Sequence, residues 1–195
     1  VLVDVNPTSM LIDLQKAAAA ITSKTKAIMP VSLFGNPLNY DELAAFKKAH
    51  NLIVIEDAAC SIGAKFKDTM VGAWADITVF SMHPRKFITT GEGGFVTTNN
   101  PDYAAFIDAY KHFGIQQSGE RGKMVFGMMG TNYKLCNIQS ALGISQMKMI
   151  DELLGRRIEL AENYTAQLRN TQGIEIPEVT ELGRHSYQTY CVFVE

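Results

Sequence analysis

Residues able to act jointly in chemistry stand at short spacing in the middle of this 195-residue chain. Glu56-Asp57 closes an apolar run, Leu52-Ile53-Val54-Ile55. Ser81 closes another, Ile77-Thr78-Val79-Phe80, and Lys86 follows five residues later in Ser81-Met82-His83-Pro84-Arg85-Lys86. Thr89-Thr90-Gly91-Glu92-Gly93-Gly94 then leads into a further run, Phe95-Val96-Thr97-Thr98. If the runs are neighbouring strands, a carboxylate, a hydroxyl and a primary amine meet at one rim of one sheet. That rim is where open α/β sheets bind ligands. The amine can add to an aldehyde, the carboxylate can face a protonated ring nitrogen, and hydroxyl and backbone N–H groups can hold a phosphate.

Pyridoxal phosphate requires all three of these groups. Singly, each residue also has a plain structural reading. A lysine can be a solvated surface residue, Asp57 can cap the turn after its strand, Ser81 can end its own, and Gly91, Gly93 and Gly94 can form no more than a tight turn.

The surrounding sequence has the elements to build such a rim. Leu11, Leu14, Ala17, Ala18 and Ile21 recur at helical spacing, and Asp41 to His50 reads as a helix with Leu43, Ala44 and Phe46 on its apolar side. Strands are expected at Val1–Val5, over Ala27-Ile28-Met29-Pro30-Val31-Ser32-Leu33 with Pro30 at an edge or bulge, at Leu52–Ile55, at Ile77–Phe80 and from Gly94 to Thr98. The first three are apolar and separated by helices, the pattern of parallel strands buried on both faces. A polar loop, Gly114 to Gly122, suits a mobile segment or a partner contact. A long helical pattern then runs from about Asn137, a candidate N-cap, to about Leu168, with Gly155 as the point where it is expected to kink or divide. Gly173-Ile174-Glu175-Ile176-Pro177 breaks that helix.

Composition narrows the function classes. Hydrophobic residues make up 47% and charged residues 19%, as in an ordinary globular protein. A net charge of −2 gives no sign of a nucleic-acid binder or a polybasic membrane anchor. Cys60, Cys136 and Cys191 are odd in number and widely spaced, which suits free thiols rather than a disulfide framework or a metal knuckle. No apolar run reaches the ~20 residues of a membrane span. The chain begins on Val1-Leu2-Val3-Asp4-Val5 and ends on Tyr190-Cys191-Val192-Phe193-Val194, both strand-like, and is therefore expected to be a piece cut at both ends.

Four blocks resemble the DegT/DnrJ/EryC1/StrS sugar aminotransferases, which are fold-type I pyridoxal-phosphate enzymes. They are Val31-Ser32-Leu33-Phe34-Gly35, Glu56 to Ala64, Phe80 to Gly94, and Gly130-Thr131-Asn132-Tyr133-Lys134-Leu135-Cys136-Asn137-Ile138-Gln139-Ser140-Ala141. By this resemblance Lys86 matches the Schiff-base lysine, which also shuttles protons, and Asp57 the partner of the pyridine nitrogen. Ser81 matches a phosphate ligand, and Asn132 the asparagine that reaches across a dimer interface to the neighbour's cofactor phosphate. Cys60 stands where many members carry Gln beside the ring hydroxyl. Ser32 stands where His is usual.

The resemblance implies an α/β fold with a mostly parallel mixed sheet flanked by helices. Residues 1–170 are expected to form the large cofactor-binding domain, lacking its N-terminal part, with its connecting helix. Residues 171–195 are expected to begin a small C-terminal domain. The implied activity of the intact protein is transfer of an amino group from an amino acid, usually L-glutamate, to a keto group on a nucleotide-linked sugar. The implied setting is a cytoplasmic homodimer in amino-sugar or surface-polysaccharide synthesis. The piece alone is expected to be a poor enzyme. Rival readings are a sugar dehydratase of the same fold, which would carry His in place of Lys86, a nucleotide-binding module, which would need a GxGxxG loop after the first strand, and a non-catalytic regulator.

Overall fold

The computed structural model describes residues 1–117 and 123–195. Its centre is a four-stranded sheet: β1 (Ala27–Ile28), β2 (Ile53–Asp57), β3 (Ile77–Ser81) and β4 (Gly94–Thr97), side by side in that order. β1, β2 and β3 run parallel, and Asp57 stands opposite Val79. β4 returns antiparallel to β3 and sets Gly94 opposite Ser81. The α/β class and mixed, mostly parallel sheet expected from sequence are therefore present.

The helices are α1 (Leu14–Ala19), α2 (Tyr40–His50), α3 (Pro101–Lys111), α4 (Asn137–Met147) and α5 (Ile150–Leu168). Helix α2, which connects β1 to β2, is written clearly in sequence. Asn39 caps it through the Glu42 N–H, Asp41 and Glu42 lie in its first turn, and Lys47, Lys48 and His50 lie in its last. Each charge complements the helix dipole, and Asn51 ends the helix in a left-handed conformation at φ 51°.

Leu43 of α2, Val54 of β2 and Phe80 of β3 share one core with Ile62, Phe66 and Ile88, and Ile150 and Leu153 of α5 pack against it. Burial covers only one face of the sheet, against the expectation of two. Val54, Glu56, Thr78 and Phe80 point inward, whereas Ile53, Val79 and Val96 are each about two-fifths exposed. Side chains alternate across a strand, and no described element covers the second face.

Several expected elements differ. Val1–Val5 is not a strand: Val1 and Leu2 are exposed, and only Val5 makes an isolated bridge, to Ile12. An apolar run becomes a strand only when it finds a ladder partner. The apolar run around Pro30 shortens to β1, and the Pro30 carbonyl still accepts from Asp57 N at 2.9 Å, a bond that needs no proline N–H. The long helical pattern divides at Lys148-Met149 rather than at Gly155, and Cys136 rather than Asn137 occupies the N-cap. Of the last strand-like run only Phe193–Val194 pairs, with Ile174–Glu175. In the polar loop, Ile115–Gln117 pairs with Met124–Phe126, and residues 118–122 lie outside the described residues. The segment 171–195 runs back along the rest of the chain. Gly183–Arg184 pairs with Lys65–Phe66, and Ser186 N donates to Gly35 O at 2.9 Å.

Candidate functional site

Because β2 and β3 are adjacent and parallel, Asp57 and Ser81 emerge at the same rim. The ladder extends one bond past Asp57, from Ala58 N to Val79 O at 2.9 Å. Asp57 does cap the following turn, its Oδ1 accepting from Ala59 N at 3.0 Å. Among the described residues its second carboxylate oxygen accepts no hydrogen bond, so the capping role leaves one oxygen for a ligand. Ser81 Oγ accepts from His83 N at 3.2 Å, which leaves the hydroxyl proton to donate.

The chain leaves β3, turns through His83–Lys86 with Lys86 N donating to His83 O at 2.9 Å, and then folds back on itself. Thr90 N donates to Met82 O and Met82 N to Gly93 O, at 3.0 and 2.9 Å. Ile88, fully buried, pins this loop to the core. Its return requires glycine at one position above all: a Cβ on Gly94 would sit 2.3 Å from the Phe80 carbonyl oxygen. Helix α4 braces the return. Gln146 accepts from Thr89 N at 3.0 Å and donates to Thr89 O at 2.5 Å, and Gln139 donates to Glu92 O at 2.8 Å.

This folding carries the half-buried Lys86 side chain over the end of β2, where Nζ donates to Cys60 Sγ at 3.1 Å. Cys60 is three residues past Asp57, so amine, thiol and carboxylate gather at one strand end, with Ser81 at the end of the neighbouring strand. Asn132 stands apart. It is exposed, bridges His112, accepts from Lys134 Nζ at 2.7 Å, and makes no hydrogen bond to Asp57, Cys60, Ser81 or Lys86 among the described residues.

A buried cluster under the rim gives Ser32 a role. Glu56 is fully buried and accepts from Ser32 Oγ, from Tyr40 OH at 2.5 Å and from Thr78 Oγ1 at 3.3 Å. Burial pushes the Glu56 carboxyl above the ordinary range, outweighing the three hydrogen bonds that pull it down. Burial first, and then the adjoining Glu56 charge, push the Tyr40 hydroxyl far up. The cluster ties β2, β3, α2 and the Ser32 turn together directly behind Asp57. A glutamate at the fourth position of an apolar strand was its visible signal. The bracing glutamines of α4 had no such signal.

The chain matches the family model described as DegT/DnrJ/EryC1/StrS aminotransferase over residues 1–195. This chain belongs to that family. It is 38% identical over 193 residues to GDP-perosamine synthase of Caulobacter vibrioides, covering 98% of this chain and 51% of that protein. It is 32% identical over 202 residues to the spore coat polysaccharide biosynthesis protein SpsC of Bacillus subtilis, covering all of this chain and 52% of that protein. The fold superposes on the X-ray structure of the aminotransferase from Psychrobacter cryohalolentis with a TM-score of 0.92 at 31% identity, covering all of this chain and 53% of that one. The chain thus spans about half the length of the curated relatives it matches. Among the described residues, no helix is long and apolar enough to cross a membrane.

Proposed function

We propose that the complete protein transfers an amino group from an amino acid, with L-glutamate the expected donor, to a keto group on a nucleotide-linked sugar, with pyridoxal phosphate as cofactor. The observation that carries this reading is the position of the Lys86 amine, 3.1 Å from Cys60 Sγ at the strand end that also bears Asp57. The donor set fits the cofactor: an amine, a carboxylate with one oxygen uncommitted, and a hydroxyl with its proton free share one rim. The family and the name of the Caulobacter relative, a GDP-sugar enzyme, support the reaction class.

When bound, the cofactor supplies an aldehyde for amine exchange and a ring that accepts electrons. Lys86 Nζ anchors it and afterwards takes and returns a proton. Asp57 holds a proton on the ring nitrogen, and the Glu56 cluster fixes the strand from which Asp57 projects. Ser81 Oγ donates to the phosphate. The Cys60 thiol, with one hydrogen-bonding atom, receives the Lys86 amine and adds little towards a ring hydroxyl. Lysine at position 86 is the feature that favours transamination over the dehydratase reading.

A homodimer belongs to the same proposal. The Ile115–Gln117 and Met124–Phe126 ribbon and the start of α4 expose Met124, Phe126, Met129, Tyr133 and Ile138. Exposed apolar area of this extent marks interaction surfaces, and Asn132 lies within it, in position to serve a partner's site. Cytoplasmic synthesis of amino sugars for surface polysaccharide or glycosylated metabolites is the setting we propose.

The test uses the complete protein with pyridoxal phosphate, L-glutamate and a panel of nucleotide-linked keto sugars. We expect an amino sugar and 2-oxoglutarate in equal amounts. A cofactor-loaded protein that aminates no sugar in the panel, yet dehydrates one, would favour the rival chemistry.

A further inference from the structure

We propose that Gln188 is a positioning residue for Lys86, a role that rests on the reading of Lys86 given above. The two are distant in sequence, yet the Gln188 carboxamide grips the main chain on both sides of the lysine. Its Oε1 accepts from Phe87 N at 3.1 Å, and its Nε2 donates to Arg85 O at 2.9 Å. One planar group thus satisfies the acceptor before Lys86 and the donor after it, as a neighbouring strand would.

The clamp is itself held. Arg157 of α5 donates from Nη2 to Gln188 O at 2.7 Å and from Nε to Tyr187 O at 2.9 Å. The same guanidinium lies 5.2 Å from the centre of the Phe87 ring, so it touches both the clamp and the clamped loop. Tyr187 takes a left-handed conformation at φ 47°, and its N–H donates to His185 Nδ1 at 2.8 Å, which turns the chain so that Gln188 faces the loop.

The consequence is a fixed Cα at position 86. Arg85 N is bonded to His83 Nδ1 at 3.2 Å, Lys86 N to His83 O, and Arg85 O and Phe87 N to Gln188. Only the torsions of the lysine side chain remain to move Nζ between the Cys60 thiol and a reacting carbon. A shift of ~1 Å in a reacting group can cost about 100-fold in rate, so the clamp sets how well the amine is aimed. Both polar atoms of its amide are spent on main chain, so the KM for the amino donor is expected to change little when it is lost. The clamp also joins the loop of the proposed lysine to the segment that follows α5, so a movement of that segment would be felt at Nζ.

Two variants of the complete protein test this. Gln188→Leu keeps the shape and removes both bonds. Gln188→Glu can still accept from Phe87 N, but donates to Arg85 O only when its carboxyl is protonated. In Gln188→Leu, amide exchange at Phe87, measured without cofactor, should quicken about tenfold or more. With cofactor, kcat should fall about 10- to 100-fold, while KM for the amino donor stays within about threefold. Gln188→Glu should approach wild-type kcat at low pH and lose it as pH rises, a limb the wild type lacks. Unchanged exchange at Phe87, or quickened exchange with wild-type kcat, would overturn the proposal. So would a Gln188→Glu variant whose kcat follows the wild-type pH profile. Borohydride trapping of a different lysine in the wild type would instead overturn the reading of Lys86, whatever Gln188 does.

Discussion

Asp57 and Glu56 are adjacent carboxylates with opposite tasks. Asp57 keeps one oxygen uncommitted at the rim, whereas Glu56 spends both within the core on Ser32, Tyr40 and Thr78. Asp57→Asn keeps the turn-capping oxygen but cannot hold a proton on a ring nitrogen by charge. It should retain the cofactor and lose roughly 100-fold or more in kcat. Steady-state kinetics beside a cofactor titration checks this, and near-normal turnover would leave Asp57 as a turn cap only. Glu56 gives a pH signature. Its folded carboxyl is raised by burial, so its stabilising contribution is complete below the ordinary value of 4.5 and is lost as pH rises through the raised folded value. His185 acts in the opposite sense. Burial lowers its imidazole to about 4, so its contribution is present above 6.5 and is lost as pH falls from 6.5 through about 4. Urea midpoints measured against pH should show both limbs. Glu56→Gln should flatten the loss toward alkaline pH and His185→Phe the loss toward acid; limbs that persist in both variants would point to other groups.

At the scale of elements, the turn that presents Lys86 depends on how closely β4 can return to β3. Gly94→Ala places a methyl group against the Phe80 carbonyl and should cost about 1–3 kcal/mol of stability. Gly155, inside α5, has no atom beyond its own turn of helix within 4 Å of its would-be Cβ among the described residues, and Gly155→Ala should stabilise by up to ~1 kcal/mol. Chemical denaturation of the pair checks both, and equal effects would mean that the strand return tolerates a side chain. The same contrast explains what was legible in sequence. β2, β3, β4 and α2 are marked by local features: apolar runs, Gly93-Gly94, and the Asn39 and Asn51 caps. The break between α4 and α5 is not, because the apolar stripe runs straight through Lys148-Met149. The open face of the sheet was hidden too, since an apolar residue reads alike whether or not a neighbour covers it. Asp57, Ser81 and Lys86 could be set at one rim from sequence because Asp57 and Ser81 end adjacent strands and Lys86 lies five residues past the second. Gln188 could not, since its partners lie about a hundred residues away and nothing local marks them.

Across the whole molecule, Asn132 lies within an exposed apolar ribbon and makes no hydrogen bond to Lys86 among the described residues, and a second copy is what would bring both into use. The complete protein should therefore sediment as a dimer. Mixed dimers of Lys86→Ala and Asn132→Ala subunits should regain activity, since one of their two sites recovers both residues. No recovery despite proven mixing would contradict a shared site. The catalytic expectations depend on Lys86 being the amine that joins the cofactor. The direct measurement is borohydride reduction of the cofactor-loaded complete protein, followed by proteolysis and mass mapping of the labelled peptide. The account predicts one label, on Lys86. A label on Lys65 or Lys134 with Lys86 unmodified would contradict it.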